Sequence, residues 1–120
     1  MLENKIEQNF KSYCIEKDVL CLKMTVAGDN GYPDRLIIGQ GFMFFIEFKR
    51  PNSYPSPLQI LTHTKLRGLG QDVYCFNQNG LAQIVLDIYL CGKTPEHILE
   101  HKGINTIYCG SMPELTKVGC

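Results

Sequence analysis

Asp34, Glu47 and Lys49 are the residues whose types and spacing can do chemistry in this chain. Two carboxylates and an ammonium brought to one point can hold a divalent cation beside a phosphodiester and activate water against it. Strands must position them. Asp34 follows Gly31-Tyr32-Pro33 and precedes the apolar run Leu36-Ile37-Ile38, while Glu47 and Lys49 close the run that starts at Phe42. Alternate residues of a strand share a face, so Glu47 and Lys49 project together and Phe44, Ile46 and Phe48 point to the other side. Gly39-Gln40-Gly41 reads as a tight connection, and a hairpin there brings Asp34 beside Glu47 and Lys49. Both strands are nearly continuous apolar runs, which predicts a sheet covered on both faces. A carboxylate at the end of such a strand is partly desolvated, which is costly without a cation nearby. Taken singly, each residue also has a structural reading. Pro33-Asp34 can be a turn before a strand, and Glu47 and Lys49 an exposed polar face with a weak cross-strand charge pair.

The pattern predicts a helix over about 3–17 and a strand over about 19–26. Hairpin strands follow over about 34–39 and 42–49. After a Pro- and Ser-rich loop, a helix over about 57–69 stops at Gly68-Leu69-Gly70, and a strand spans about 71–76. Asn79-Gly80 is a turn or helix start before Leu81 to Leu90. The helix–strand crossover implies a parallel pair inside an otherwise antiparallel sheet. The 120 residues make one domain with a core of its own. No apolar run approaches the ~20 residues of a membrane span, and the start Met1-Leu2-Glu3-Asn4-Lys5 has no signal-peptide pattern, so a cytosolic (cytoplasmic) location is expected. Six cysteines are present. Several sit in apolar patterns, such as Val19-Leu20-Cys21-Leu22 and Val73-Tyr74-Cys75-Phe76, where Cys serves as a small hydrophobe. Reduced thiols are the expected state.

Twelve basic residues balance twelve acidic ones, which argues against the broad basic footprint of a nucleic-acid binder. Distribution softens that. From Lys49 through Gln71 the chain carries Lys49, Arg50, His63, Lys65 and Arg67 and no acid. A basic stretch flanking a carboxylate cluster suits DNA held beside a metal, although Lys65 and Arg67 can equally solvate a helix face. Tyr32 and Tyr54 flank the site and can stack bases or simply pack.

Three strings in order, Gly31-x-Pro33-Asp34-Arg35-Leu36, Phe45-Ile46-Glu47-Phe48-Lys49-x-Pro51 and Ser56-Pro57-Leu58-Gln59, resemble the VRR-NUC family of the PD-(D/E)xK nuclease superfamily, in particular its small stand-alone viral and phage members. The resemblance covers roughly residues 1–77. It implies an α/β fold (an α+β mixed sheet) with a restriction-endonuclease-like αβββαβ core. It also implies Mg²⁺ or Mn²⁺ bound by Asp34 and Glu47 with the Phe48 carbonyl, Lys49 assisting the attacking water, Gln59 as the helical glutamine and a glutamate from the first helix. For that glutamate, Leu2, Ile6, Phe10 and Tyr13 define a buried stripe. Glu3 lies at its edge beside Phe10, and Glu7 falls further toward solvent. Glu3 also matches the family's Glu-x-x-Ile start. Glu3 has a second reading as a complement to the helix dipole. Gln59 likewise has one, because Ser56-Pro57-Leu58-Gln59 is a capping box with Pro at the first helical position.

The expected function is a Mg²⁺- or Mn²⁺-dependent DNA endonuclease with Asp34, Glu47, Lys49 and Gln59 at its centre. Arg35, Arg50, Lys65 and Arg67 are the candidate DNA contacts. The resemblance to stand-alone viral members further implies a homodimer cutting branched DNA such as four-way (Holliday) junctions. Two other readings remain: a catalytically idle DNA-binding module of the same fold, and a Cys/His metal-binding interaction protein. Residues 1–90 form the expected nuclease core and 91–120 an extension packed on the core or on a second subunit. In that extension His97 and His101 share a helix face near Cys91, Cys109 and Cys120, a conceivable zinc site, and Gly103 to Tyr108 can add an edge strand.

Overall fold

The computed structural model of the protein describes residues 3–29, 31–51, 53–93 and 95, of Glu3 the backbone only. The elements run α1 (Glu3–Glu16), β1 (Leu20–Lys23), β2 (Arg35–Gly39), β3 (Phe42–Phe48), α2 (Pro57–Gly68), β4 (Val73–Phe76) and α3 (Leu81–Leu90). One sheet holds the strands in the order β1-β2-β3-β4. The first two pairings are antiparallel, and β3–β4 is parallel. α2 makes the crossover that a parallel pair requires. This is the mixed α+β architecture expected.

Local chemistry sets the ends of the elements. Ile6, Phe10 and Cys14 recur every fourth residue and are buried, which fixes the inward stripe of α1. The helix stops because Asp18 takes a left-handed backbone, φ 58°. Val19 N–H then donates to the Cys14 carbonyl and Asp18 N–H to that of Ile15, closing a Schellman motif. Gly39 pairs with Phe42 across the two-residue turn Gln40-Gly41. Gly41 carries φ 83° there, a conformation glycine adopts without a Cβ penalty. Ser56 and Gln59 cap α2 reciprocally, with Pro57 in its first turn.

α1 and α3 cover one face of the sheet. Phe44, Ile46 and Phe48 point into that side and are fully buried. Phe10 meets Phe48 with ring centroids 5.6 Å apart, and Phe44 stacks on Tyr89 at 4.5 Å. Polar groups at its margin are tied: Tyr13 donates to Asp87, Tyr89 donates to Asp72, and the Tyr74 and Tyr89 hydroxyls lie 2.6 Å apart.

Three expectations change. β1 ends at Lys23 rather than near residue 26, because the chain turns at Ala27-Gly28 and only a bridge joins Val26 to Asp29. The sheet is not covered equally on both faces. α2 lies over the β3–β4 end of the second face, and Leu20, Leu22 and Met43 at the other end stay 57%, 43% and 44% exposed. Cys14, Cys21 and Cys75 are not in disulfides, and contact with Cys21 followed by burial pushes the Cys14 thiol up. Cys91, however, is disulfide-bonded. It caps the C-terminus of α3 and is half-buried, as Cys21 is, whereas Cys14 and Cys75 are buried. The expected helix with His97 and His101, Cys109, Cys120 and the edge strand 103–108 lie outside the described residues.

Candidate active site

The register of the hairpin decides where the carboxylates meet. Arg35 pairs with Ile46 and Leu36 with Phe45, so continuing the same register sets Asp34 opposite Glu47. The direction of the backbone groups identifies the kind of pair. Phe45 and Lys49 N–H donate toward β4, to the Asp72 and Phe76 carbonyls, and Met24 N–H donates to Asp34 from the β1 side. Asp34 and Glu47 therefore turn their backbones away from each other. They form a non-hydrogen-bonded pair, with Cα atoms about 4.5 Å apart and side chains close on one face. Lys49, two residues on, shares that face.

The same logic makes Pro33 useful. It stands opposite Phe48, whose backbone points toward β2, and proline has no N–H to donate. The Phe48 carbonyl thus receives no ladder bond from that strand. Carboxylates at Asp34 and Glu47 and this carbonyl are hard oxygen donors, the set that Mg²⁺ or Mn²⁺ takes. Among the described residues no three His, Cys, Asp or Glu side chains come together as a metal cluster. Two carboxylates nonetheless suffice for Mg²⁺, which keeps several waters and binds through one or two carboxylates. Glu47 is 3% exposed, and a buried carboxylate calls for positive charge beside it. The residues fit the ion.

Three further contacts lock the site. A Cβ on buried Gly31 would lie 2.4 Å from Thr62 Oγ1 and 3.1 Å from the Leu58 carbonyl, so only glycine lets the Asp34 segment sit against α2. Gly31 N–H also donates to Asp29 Oδ1 at 2.8 Å. On the far side, Asn77 Nδ2 donates to the Ser53 carbonyl at 2.9 Å, holding the chain that leaves β3.

The other candidates separate. Gln59 Oε1 accepts from Ser56 N–H at 2.9 Å while Gln59 N–H donates to Ser56 Oγ. The capping role is thus present, on the helix that meets the site. Arg50 and Lys65 are exposed. Arg35 instead donates to Glu7 at 2.7 Å, on the α1 side of the sheet. Arg67 is half-buried, and its guanidinium donates to the Val73 carbonyl. Tyr54 is 61% exposed, and Tyr32 is half-buried. Glu3 opens α1, and its side chain lies outside the described residues. Glu7, placed toward solvent on the helical wheel, is half-buried in its pair with Arg35. His63, read only as part of a basic stretch, is fully buried near Lys49 and Asp34. Its position four residues after Gln59, on the same helix face, was the available signal.

A three-layer α/β/α arrangement with an acidic pair and a lysine at the end of a hairpin defines the restriction-endonuclease-like class. Comparison with known proteins agrees. A solved VRR_NUC domain superposes with a TM-score of 0.65 and 25% identity, covering 72% of this chain and 96% of that one. "Putative nuclease p44" of Acyrthosiphon pisum secondary endosymbiont phage 1 is 31% identical over 84 residues, 69% of this chain and 90% of that protein. No family model matches the sequence. The chain belongs to the VRR-NUC family.

Proposed function

We propose that this protein is a divalent-metal-dependent DNA endonuclease that hydrolyses phosphodiester bonds and prefers branched DNA. The observation that carries the reading is the opposed Asp34–Glu47 pair with Lys49 on the same face. Asp34, Glu47 and the Phe48 carbonyl, with Glu3 by family resemblance, are the groups to hold Mg²⁺ or Mn²⁺. Bound there, such an ion polarises a phosphoryl oxygen and lowers the pKa of its water. Lys49 extends its ammonium over the same face, positions the attacking water and offsets charge that develops on the phosphorane. Gln59 fixes the start of α2 against this centre. Arg50 and Lys65 offer exposed positive charge to the flanking phosphates.

One subunit offers few exposed cations near its site, so it neutralises few phosphates and binds weakly at physiological salt. A two-fold homodimer doubles those contacts and presents two sites to a substrate with its own two-fold symmetry, such as a four-way junction. The nuclease name of the phage relative and the absence of any described helix long and apolar enough to cross a membrane fit action on DNA in a cytoplasm. The deciding experiment incubates the protein with linear duplex, single-stranded, flap and four-way-junction DNA, with and without Mg²⁺ or Mn²⁺, beside Asp34→Asn. Metal-dependent cleavage lost in the variant is the expected result. Cleavage equal in both proteins refutes the site, and equal rates on linear and branched DNA refute the junction preference alone.

A further inference from the structure

The imidazole of His63 is fully buried, and neither Nδ1 nor Nε2 has a hydrogen-bond partner among the described residues. An apolar side chain of similar size would fill the space without stranding two polar atoms, so packing does not explain the choice of histidine. Its place in the fold does. His63 lies one turn after Gln59 on α2 and next to Thr62, the residue that abuts Gly31 three positions before Asp34. The charged groups around it are Arg67, Lys49 and Asp34.

We propose that His63 is a positioning residue of the metal centre, hydrogen-bonding the water shell of a cation held by Asp34 and Glu47 from the α2 side. This rests on the metal-dependent reading of that pair. A neutral imidazole offers one donor and one acceptor. Mg²⁺ and Mn²⁺ held by few protein ligands keep waters that must be hydrogen-bonded. Burial, then Arg67 and Lys49, push the imidazole down to about 4, against the opposing pull of Asp34, so it is neutral where the enzyme works. Direct ligation is disfavoured because no three ligating side chains of the described residues converge. The contact therefore runs through water.

Mn²⁺ titration by calorimetry and electron paramagnetic resonance tests this on the full chain without DNA. Asp34→Asn should lose Mn²⁺ binding. His63→Leu should weaken it at least about tenfold, the usual effect of removing a partner of a bound group, while the metal-free protein melts at or above the wild-type temperature. His63→Gln, which restores a donor and an acceptor, should recover most of the affinity. If His63→Leu does not fold, His63→Met decides the same comparison. Mn²⁺ affinity in the apolar variant within twofold of wild type, with Asp34→Asn deficient, overturns this inference and leaves the metal site standing. Unchanged binding in Asp34→Asn overturns both.

Discussion

The two faces of the sheet are written by one strand and behave as different materials. Toward α1 and α3, β3 sends Phe44, Ile46 and Phe48 into a dry, aromatic layer. Toward α2 it sends Glu47 and then Lys49, beside Asp34, His63 and Arg67. The first face gains from every contact it makes. The second encloses charge and an imidazole with no hydrogen-bond partner among the described residues, a local conflict that stability alone does not explain and on which the proposed site rests. Substitutions on one face should therefore register in folding, and those on the other in turnover.

The largest effect should come from the apolar face. Phe44→Ala removes a fully buried ring stacked on Tyr89 and should cost about 3–5 kcal/mol of stability in urea unfolding. Activity per folded molecule should stay near wild type; a specific loss of turnover would break the division between faces. On the other face, Asp34→Asn or Glu47→Gln should slow metal-dependent cleavage at least about a hundredfold, ~2.7 kcal/mol of transition-state stabilisation. Both variants should remain folded, as differential scanning fluorimetry can establish.

Gly31→Ala sharpens the comparison by disturbing only the seam between the Asp34 segment and α2. The new methyl group meets Thr62 Oγ1 and the Leu58 carbonyl, so a loss of about 1–3 kcal/mol is expected. Adding Thr62→Ala should recover part of it; strict additivity in the double mutant would show that the two residues are not coupled. The last test is a pH dependence, which is gradual and takes no more than about 1.4 kcal/mol in any one pH unit. His63 is held near 4 in the fold against 6.5 as its ordinary value. The unfolded chain takes up that proton first, so stability is fully present above pH 6.5 and falls toward pH 4. His63→Leu should flatten this portion of the stability–pH curve measured by chemical denaturation.

Much of this was legible in the sequence because the informative interactions are local. Gly39-Gln40-Gly41 sets the hairpin length, and alternation then assigns every residue of β3 to a face, so Asp34 opposite Glu47 could be read directly. α2 was readable from Ser56, Pro57 and Gln59 for the same reason. What failed depends on distant partners. The apolar run after Val19 extends past Lys23, but pairing stops where the partner strand does. Glu7 was ranked by the stripe of its own helix, and its real environment is Arg35, which lies 28 residues away. Arg67 looks like any helical cation until the Val73 carbonyl is placed beside it. The even coverage expected for the sheet also needed tertiary knowledge, since α2 reaches only part of the second face.

The turn at Gln40-Gly41 has a consequence for how such a chain can change over generations. One residue added to or deleted from it would shift β3 by a step, sending Phe48 to the α2 side and Glu47 among the aromatic rings. Both halves of the protein would fail together. Insertions between β1 and β2 or between β3 and α2 leave the pairing untouched and need only lengthen a surface connection. Length variation among functional descendants should therefore concentrate in those two connections, with the hairpin turn held at two residues.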